Sequence, residues 1–283
     1  MFQNDTLKSQ TIFITGGGSG LGRAMAERFA ALGAKVGVTG RRTEPLEDTV
    51  NAIRDAGGTA AWASSDVRDV DTLRAATDQL EEELGPFNAL VNNAAGNFLA
   101  PSENLSPNAF HSVVQIVLYG TYNATQELGR RFIERGNGGQ ILSIVTTYAW
   151  MGSAFVLPSA CAKAGVLAMS RSLAVEWATY GIRSNSIAPG PFPTEGAFSR
   201  LMPPQMHEMA KNANPLRRFG EPNELADLAA FMMSPMATYL NGECIVIDGG
   251  EWLKNGQEFS SLIDMMPRDQ LKAAMAAMKP KKG

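Results

Sequence analysis

The chain repeats one pattern from end to end. A short apolar run, often β-branched, is followed by a longer stretch whose apolar positions recur at helical spacing. The runs Thr11–Thr15, Lys35–Thr39, Thr59–Ala63, Ala89–Asn92, Gln140–Thr146, Arg183–Ala188 and Glu243–Ile247 predict seven strands. Helical stretches lie between them: Leu21–Leu32, Glu44–Ala56, Asp71–Leu84, Pro107–Glu134, Ala160–Tyr180 and Pro222–Ser234. Near-continuous apolar strands alternating with helices predict a parallel sheet covered on both faces. The expected fold is an α/β, doubly wound domain with a seven-stranded parallel sheet.

No composition break separates a second domain, so residues 1–283 read as one unit. The stretch Pro189–Ala213 departs from the pattern. It is rich in proline and carries Phe192, Phe198, Met202, Met206 and Met209. It predicts an irregular insertion with a soft apolar face: a lid over residues 191–213, with a tail over 254–283.

Composition narrows the function classes. Hydrophobic residues are 45% and charged residues 19%, as in a globular protein with a sizeable core. The net charge of −3, from 25 basic and 28 acidic residues, lacks the basic bias of a nucleic-acid binder. No run of 18 apolar residues predicts a membrane span. Residues Met1–Gln10 lack an apolar signal core, and Lys279–Gly283 read as a solvated basic end. A cytoplasmic protein is expected. Cys161 and Cys244 are too few for a disulfide framework and lie among apolar or small residues, so both are expected to be buried thiols. No metal site is expected.

The candidate chemistry begins where the first strand ends, in Thr15-Gly16-Gly17-Gly18-Ser19-Gly20-Leu21-Gly22. Glycines there let the backbone approach a pyrophosphate, and the following helix offers unpaired N–H groups to it. Gly16, Gly18, Ser19, Gly20 and Leu21 are the candidate phosphate cradle; a plain turn is the alternative. The second strand ends in Thr39-Gly40-Arg41-Arg42. Gly40 stands where an NAD enzyme carries a carboxylate for the ribose, and Arg41 offers a guanidinium suited to a 2′-phosphate. That favours NADP, with a solvated arginine pair as the other reading. Asp66 and Val67 follow the third strand, Asn93 and Ala94 the fourth, and Pro189-Gly190-Pro191 the sixth, running on to Phe192 and Thr194. All lie at carboxyl ends of strands, where open α/β sheets bind ligands. Asp66 suits the adenine amino group, and Pro189–Pro191 the nicotinamide.

These motifs, together with Asn92–Gly96, Lys163 and Pro189-Gly190, resemble the short-chain dehydrogenase/reductase family over about residues 8–252. The resemblance implies a Rossmann fold. Two family positions are altered. The tyrosine usually found four residues before the lysine is replaced by Ser159, in Pro158-Ser159-Ala160-Cys161-Ala162-Lys163, and Tyr119 stands where the family has a helix asparagine. A tyrosine occurs instead at Tyr148, in Thr146-Thr147-Tyr148-Ala149, fifteen residues before Lys163. Ser159 and Lys163 are four apart and share a face if the helix begins near Pro158. A packed aromatic at the strand end is the other reading of Tyr148.

This arrangement resembles the NADPH-dependent 2,4-dienoyl-CoA reductases. It does so through Asn92–Phe98, Leu105–Ala109, Thr146–Ala149, Gly152–Val156, Ser159–Gly165, Gly190–Arg200 and the tail segment Gly256–Leu262. The resemblance implies that Tyr148 and Asn97 hold a thioester carbonyl oxygen. It further implies that Lys163 binds the nicotinamide ribose and Ser159 supports the site. Substrate contacts carried over in the same way fall on Arg68, Phe98, Ser106 and Arg200, of which the arginines suit CoA phosphates. An acyl-CoA substrate, a homotetramer and a role in unsaturated fatty acid β-oxidation follow as expectations. The residues alone leave open a carbonyl or enoyl-CoA reductase of other specificity. They also leave open an NADPH-binding regulatory protein without turnover, which Ser159 motivates.

Overall fold

A computed structural model of the chain describes residues 2–194, 207–256, 260, 264 and 267–277. Its strands are β1 (Thr11–Thr15), β2 (Lys35–Gly40), β3 (Thr59–Ser64), β4 (Ala89–Asn92), β5 (Gly139–Ile144), β6 (Ile182–Pro189) and β7 (Cys244–Ile247). They form one seven-stranded sheet in the order β3-β2-β1-β4-β5-β6-β7, every neighbouring pair parallel. The strand order reverses between β1 and β4, which opens a crevice at their carboxyl ends.

The described helices are α1 (Gly20–Ala31), α2 (Thr43–Asp55), α3 (Val70–Leu84), α4 (Pro107–Val114), α5 (Gly120–Arg135), α6 (Tyr148–Met151), α7 (Leu157–Glu176), α8 (His207–Ala213), α9 (Pro222–Met233), α10 (Glu251–Gly256) and α11 (Arg268–Ala277). Strand side chains alternate between the two faces. Ile12 and Ile14 of β1 join Met25, Phe29, Leu46 and Leu225 in a core on one face. Phe13, between them, joins Leu73, Leu80, Phe87, Leu128 and Phe132 on the other. Two dry faces explain why β1 is apolar at successive positions. A third cluster, including Val117, Val145, Ala149, Ala162 and Val166, lies under the carboxyl ends of β5 and β6 and carries α6 and α7.

Several boundaries differ from the sequence-based expectation. The stretch Pro107–Glu134 forms one run, but a wide π-type turn at Gln115–Tyr119 joins α4 to α5. Strand β5 stops at Ile144 instead of Thr146, because Thr147 already has helical angles (φ −62, ψ −30) and starts α6. Helix α7 ends at Glu176, and Ala178–Tyr180 form a separate tight turn. Cys161 was expected to be buried and is exposed: it faces outward from α7 between the buried Ala160 and Ala162. Cys244 is half-buried, and burial pushes its thiol up to about 11. The insertion is not irregular throughout, since its last seven residues form α8 with Met209 largely exposed. Phe192 leaves it to join the core. Phe198, Arg200, Met202 and Met206 lie outside the described residues. Among the described residues no helix is long and apolar enough to cross a membrane.

Helices α5 and α7 are fixed to each other by a close approach. A β-carbon on Gly129 of α5 would stand 2.3 Å from the ring of Trp177, which follows α7. Overpacking of this kind costs about 1–3 kcal/mol. Gly129→Ala is expected to lower unfolding free energy by about 2 kcal/mol in urea titrations. The carboxyl ends of the strands should be undisturbed, because Trp177 precedes the start of β6.

Candidate active site

The glycine-rich turn is shaped by contacts that only glycine permits. Gly16 has φ +67, and a β-carbon there would sit 3.0 Å from Ala94 Cα. At Gly22 a β-carbon would overlap the Gly16 carbonyl oxygen at 2.2 Å. Asn93 clamps the turn, its Nδ2 donating to the carbonyls of Thr15 and Gly16 at 3.1 and 3.0 Å. The Thr15 hydroxyl accepts from the main-chain N–H groups of Asn93 and Ala94. Ser19 occupies the N-cap position of α1, yet its hydroxyl makes no capping bond. The first turn of α1 therefore presents main-chain donors and one hydroxyl to the crevice, the donor set an anionic pyrophosphate requires. Leu21 packs partly into the core beneath it. Gly20 faces Thr194 across the groove, its β-carbon position 3.3 Å from Thr194 Cβ.

The other sequence-derived positions lie at or beyond the carboxyl ends of β2, β3, β4 and β6. Arg41 is exposed at the end of β2, close enough to Asp66 for its charge to help hold that carboxyl low. Asp66 is held below the usual range chiefly by Arg68, which bonds it through Nε and an NH2 nitrogen. The residue expected on the adenine and the one expected on the CoA phosphates are thus paired with each other. The pair is partly exposed, so it contributes about 0–1 kcal/mol and opens readily to a competing ligand. Val67 is buried, and its carbonyl accepts from Asn123 Nδ2 at 2.9 Å. Pro189 ends β6, and Gly190 N–H donates to the Ile247 carbonyl at 2.9 Å. Pro191 and Phe192 border a cleft of about 80 Å³, too small for a dinucleotide. The Phe192 ring packs on Gly220 in the core. Ser106 is the N-cap of α4, its hydroxyl accepting from Ala109 N–H at 3.2 Å.

The displaced tyrosine converges with its expected partners. The hydroxyls of Tyr148 and Ser159 stand 3.1 Å apart, and Asn97 Nδ2 donates to the Tyr148 hydroxyl at 3.4 Å. Asn97 Oδ1 accepts from Phe98 N–H at 2.9 Å, which turns the amide so that its NH2 faces the phenol. Three neutral polar groups from the β4 loop, α6 and α7 therefore meet at one point. Two hydrogen-bond donors side by side suit an oxygen that gains negative charge. Ser159 and Lys163 are buried on the same side of α7, at 2% and 5% exposure. Thr146, not singled out from sequence, buries a hydroxyl oxygen that has no hydrogen-bond partner in the structure. It lies two residues before Tyr148, where β5 gives way to α6.

Lys163 donates to the Ile144 carbonyl at the end of β5. Burial pushes its ammonium down from 10.5 to about 8. In the unfolded chain the same lysine keeps its proton up to about 10.5. Between these values the folded chain has released a proton that the unfolded chain still holds, so stability rises with pH across that window. Below pH 8 both states are protonated and the full penalty applies, of the order of 3 kcal/mol. Lys163→Met is therefore expected to stabilise the ligand-free protein at pH 7 by about 2 kcal/mol. It should also flatten the rise between pH 8 and 10.5, as read by urea denaturation at a series of pH values.

Comparison with known proteins places this geometry. A family model described as Enoyl-(Acyl carrier protein) reductase matches residues 16–251. A probable 2,4-dienoyl-CoA reductase of Bacillus subtilis, named as (2E)-enoyl-CoA-producing, is 46% identical over 253 residues, covering 87% of this chain and 98% of its own. Probable 2,4-dienoyl-CoA reductase 3 of Caenorhabditis elegans, named as (3E)-enoyl-CoA-producing, is 43% identical over 256 residues, covering 89% and 83%. Among solved structures, a short chain dehydrogenase from Bacillus anthracis has a TM-score of 0.80 and 43% identity, covering 87% of this chain and 98% of that one. The chain belongs to the short-chain dehydrogenase/reductase family of nicotinamide-dependent oxidoreductases.

Proposed function

We propose that this protein reduces 2,4-dienoyl-CoA thioesters with NADPH. The observation that carries the reading is the meeting of the Tyr148 hydroxyl, the Asn97 amide and the Ser159 hydroxyl, with Ser159 standing where the family has its usual tyrosine. The groove fits the cofactor: the contacts of Gly16 and Gly22 leave room only for glycine, and the first turn of α1 offers phosphate donors. Bound there, a reduced nicotinamide supplies a hydride.

The chain's own groups do the rest. Tyr148 and Asn97 donate hydrogen bonds to the thioester oxygen as negative charge moves onto it through the conjugated double bonds. Each such donor in a water-poor site is worth about 2.7–4 kcal/mol. Ser159 holds the phenol in place, and Lys163 binds ribose hydroxyls while its charge favours the anionic state. The donors sit away from the usual position because a dienoyl thioester's oxygen lies several bonds from the carbon that is reduced. Arg41 meets the 2′-phosphate and Asp66 the adenine. Arg68, Phe98, Ser106 and Arg200 contact the acyl-CoA, and residues 191–213 cover the acyl chain. Addition of a proton at the α-carbon gives a 3-enoyl-CoA; addition two carbons further along gives the 2-enoyl isomer. The two relatives carry different product names, so the product is to be determined by NMR.

We further propose a cytoplasmic homotetramer. Tyr122 on α5 and Val175 on α7 are large apolar residues left exposed in a single chain, as subunit contacts require. A single-chain mass in light scattering would remove that part.

The decisive assay compares 2,4-hexadienoyl-CoA with simple ketones and 2-enoyl-CoA under NADPH. Preferred turnover of the dienoyl thioester is expected, and turnover of ketones alone would overturn the reading. Tyr148→Phe should lower kcat by about 10²–10³-fold with NADPH affinity unchanged. Arg41→Ala should weaken NADPH binding by about tenfold and leave NADH binding within twofold, measured by fluorescence titration.

A further inference from the structure

The four-residue helix α6 carries Tyr148, and so short a helix is not stable without outside packing. Its inner residue, Ala149, packs in the cluster under the site. Its outer residue, Trp150, meets Trp252 of α10 edge to face, with ring centroids 5.6 Å apart and planes at 86°.

Helix α10 is itself firmly held. Asp248 accepts from Gly250 and Trp252 N–H groups at 2.8 and 2.9 Å, fixing its first turn. Lys254 is largely buried; it donates to the Ala213 carbonyl at 2.7 Å and pairs with Asp264 at 2.5 Å. Asp264 also accepts from Arg217 at 2.9 Å, and Asn214 Nδ2 donates to the Asp248 carbonyl at 2.8 Å. One turn of helix thus touches both the element that presents Tyr148 and the base of the 191–213 insertion.

We infer that Trp252 is a positioning residue for Tyr148, and that α10 ties the placement of the phenol to the base of the insertion. This rests on the reading of Tyr148 as the donor to the substrate oxygen. Loss of the tryptophan frees α6 to shift the phenol away from Asn97 and Ser159. The phosphate turn follows β1, four strands along the sheet from β7, and is untouched.

The test uses Trp252→Ala, Trp252→Phe and Lys254→Met, assayed with NADPH and whichever substrate the wild type reduces. Trp252→Ala should lower kcat by about three- to tenfold, the range of an aromatic pair, with NADPH affinity unchanged. Trp252→Phe keeps a ring edge and should stay within twofold of wild type. Lys254→Met, which leaves the aromatic pair intact, should lower kcat about threefold and serves if Trp252→Ala does not fold. A tryptophan exciton couplet in circular dichroism should be present in the wild type and absent from both Trp252 variants. The inference falls if Trp252→Ala keeps full kcat. It falls equally if NADPH affinity drops in step with kcat, if Phe is as damaging as Ala, or if the wild type shows no couplet. Tyr148→Phe run alongside separates the two claims. Its retention of activity would remove the phenol's role, whereas its inactivity beside a fully active Trp252→Ala would remove only the positioning role.

Discussion

The site is organised around one buried charge. Lys163 sits inside the protein where α7 crosses the end of β5, and its hydrogen bond goes to a main-chain carbonyl, that of Ile144. An ammonium in such surroundings is costly and is kept only where its donors and field are used. Its three donors suit the hydroxyls of a ribose, and its charge favours negative charge developing nearby. Everything next to it is neutral: Ser159 one turn before it, Tyr148 beside Ser159, and Asn97 beside Tyr148. The arrangement separates two tasks. In the proposed reaction the charged group holds the cofactor end, and the neutral donors receive an oxygen.

That separation gives the exchange of residues around α7 a physical sense. A tyrosine one turn before the lysine lies next to the cofactor and suits an oxygen attached to the carbon being reduced. Here a serine fills that place and the phenol enters from the preceding turn of chain. The donor moves outward while its contact with α7 is kept through the 3.1 Å approach of the two hydroxyls. A conjugated thioester, whose oxygen is remote from the reduced carbon, matches a donor so displaced.

The sheet and its crevice were readable because their signals are local. Seven apolar runs, each followed by helical periodicity, leave few ways to build anything but a covered parallel sheet. Boundaries were less readable where tertiary contacts decide them. Thr146 and Thr147 have strand-like side chains, yet α6 begins there because Ala149 finds a buried place under the site. Cys161 looks apolar in its neighbourhood but faces outward, because helical phase, not local composition, sets which side of α7 is buried.

From the sequence alone follow the phosphate turn, the pairing of Ser159 with Lys163 on one helical face, and the candidate role of Tyr148. Residue type and spacing determine the first two, and the resemblance to the 2,4-dienoyl-CoA reductases supplies the third. The meeting of Asn97, Tyr148 and Ser159 joins residues 51 and 11 positions apart on three different elements, and only folding brings them within hydrogen-bond reach. The same holds for Asn123 under Val67 and for Trp252 against Trp150. Such contacts depend on where helices cross and how rings turn. Packing sets those quantities, and no periodicity along the chain records them.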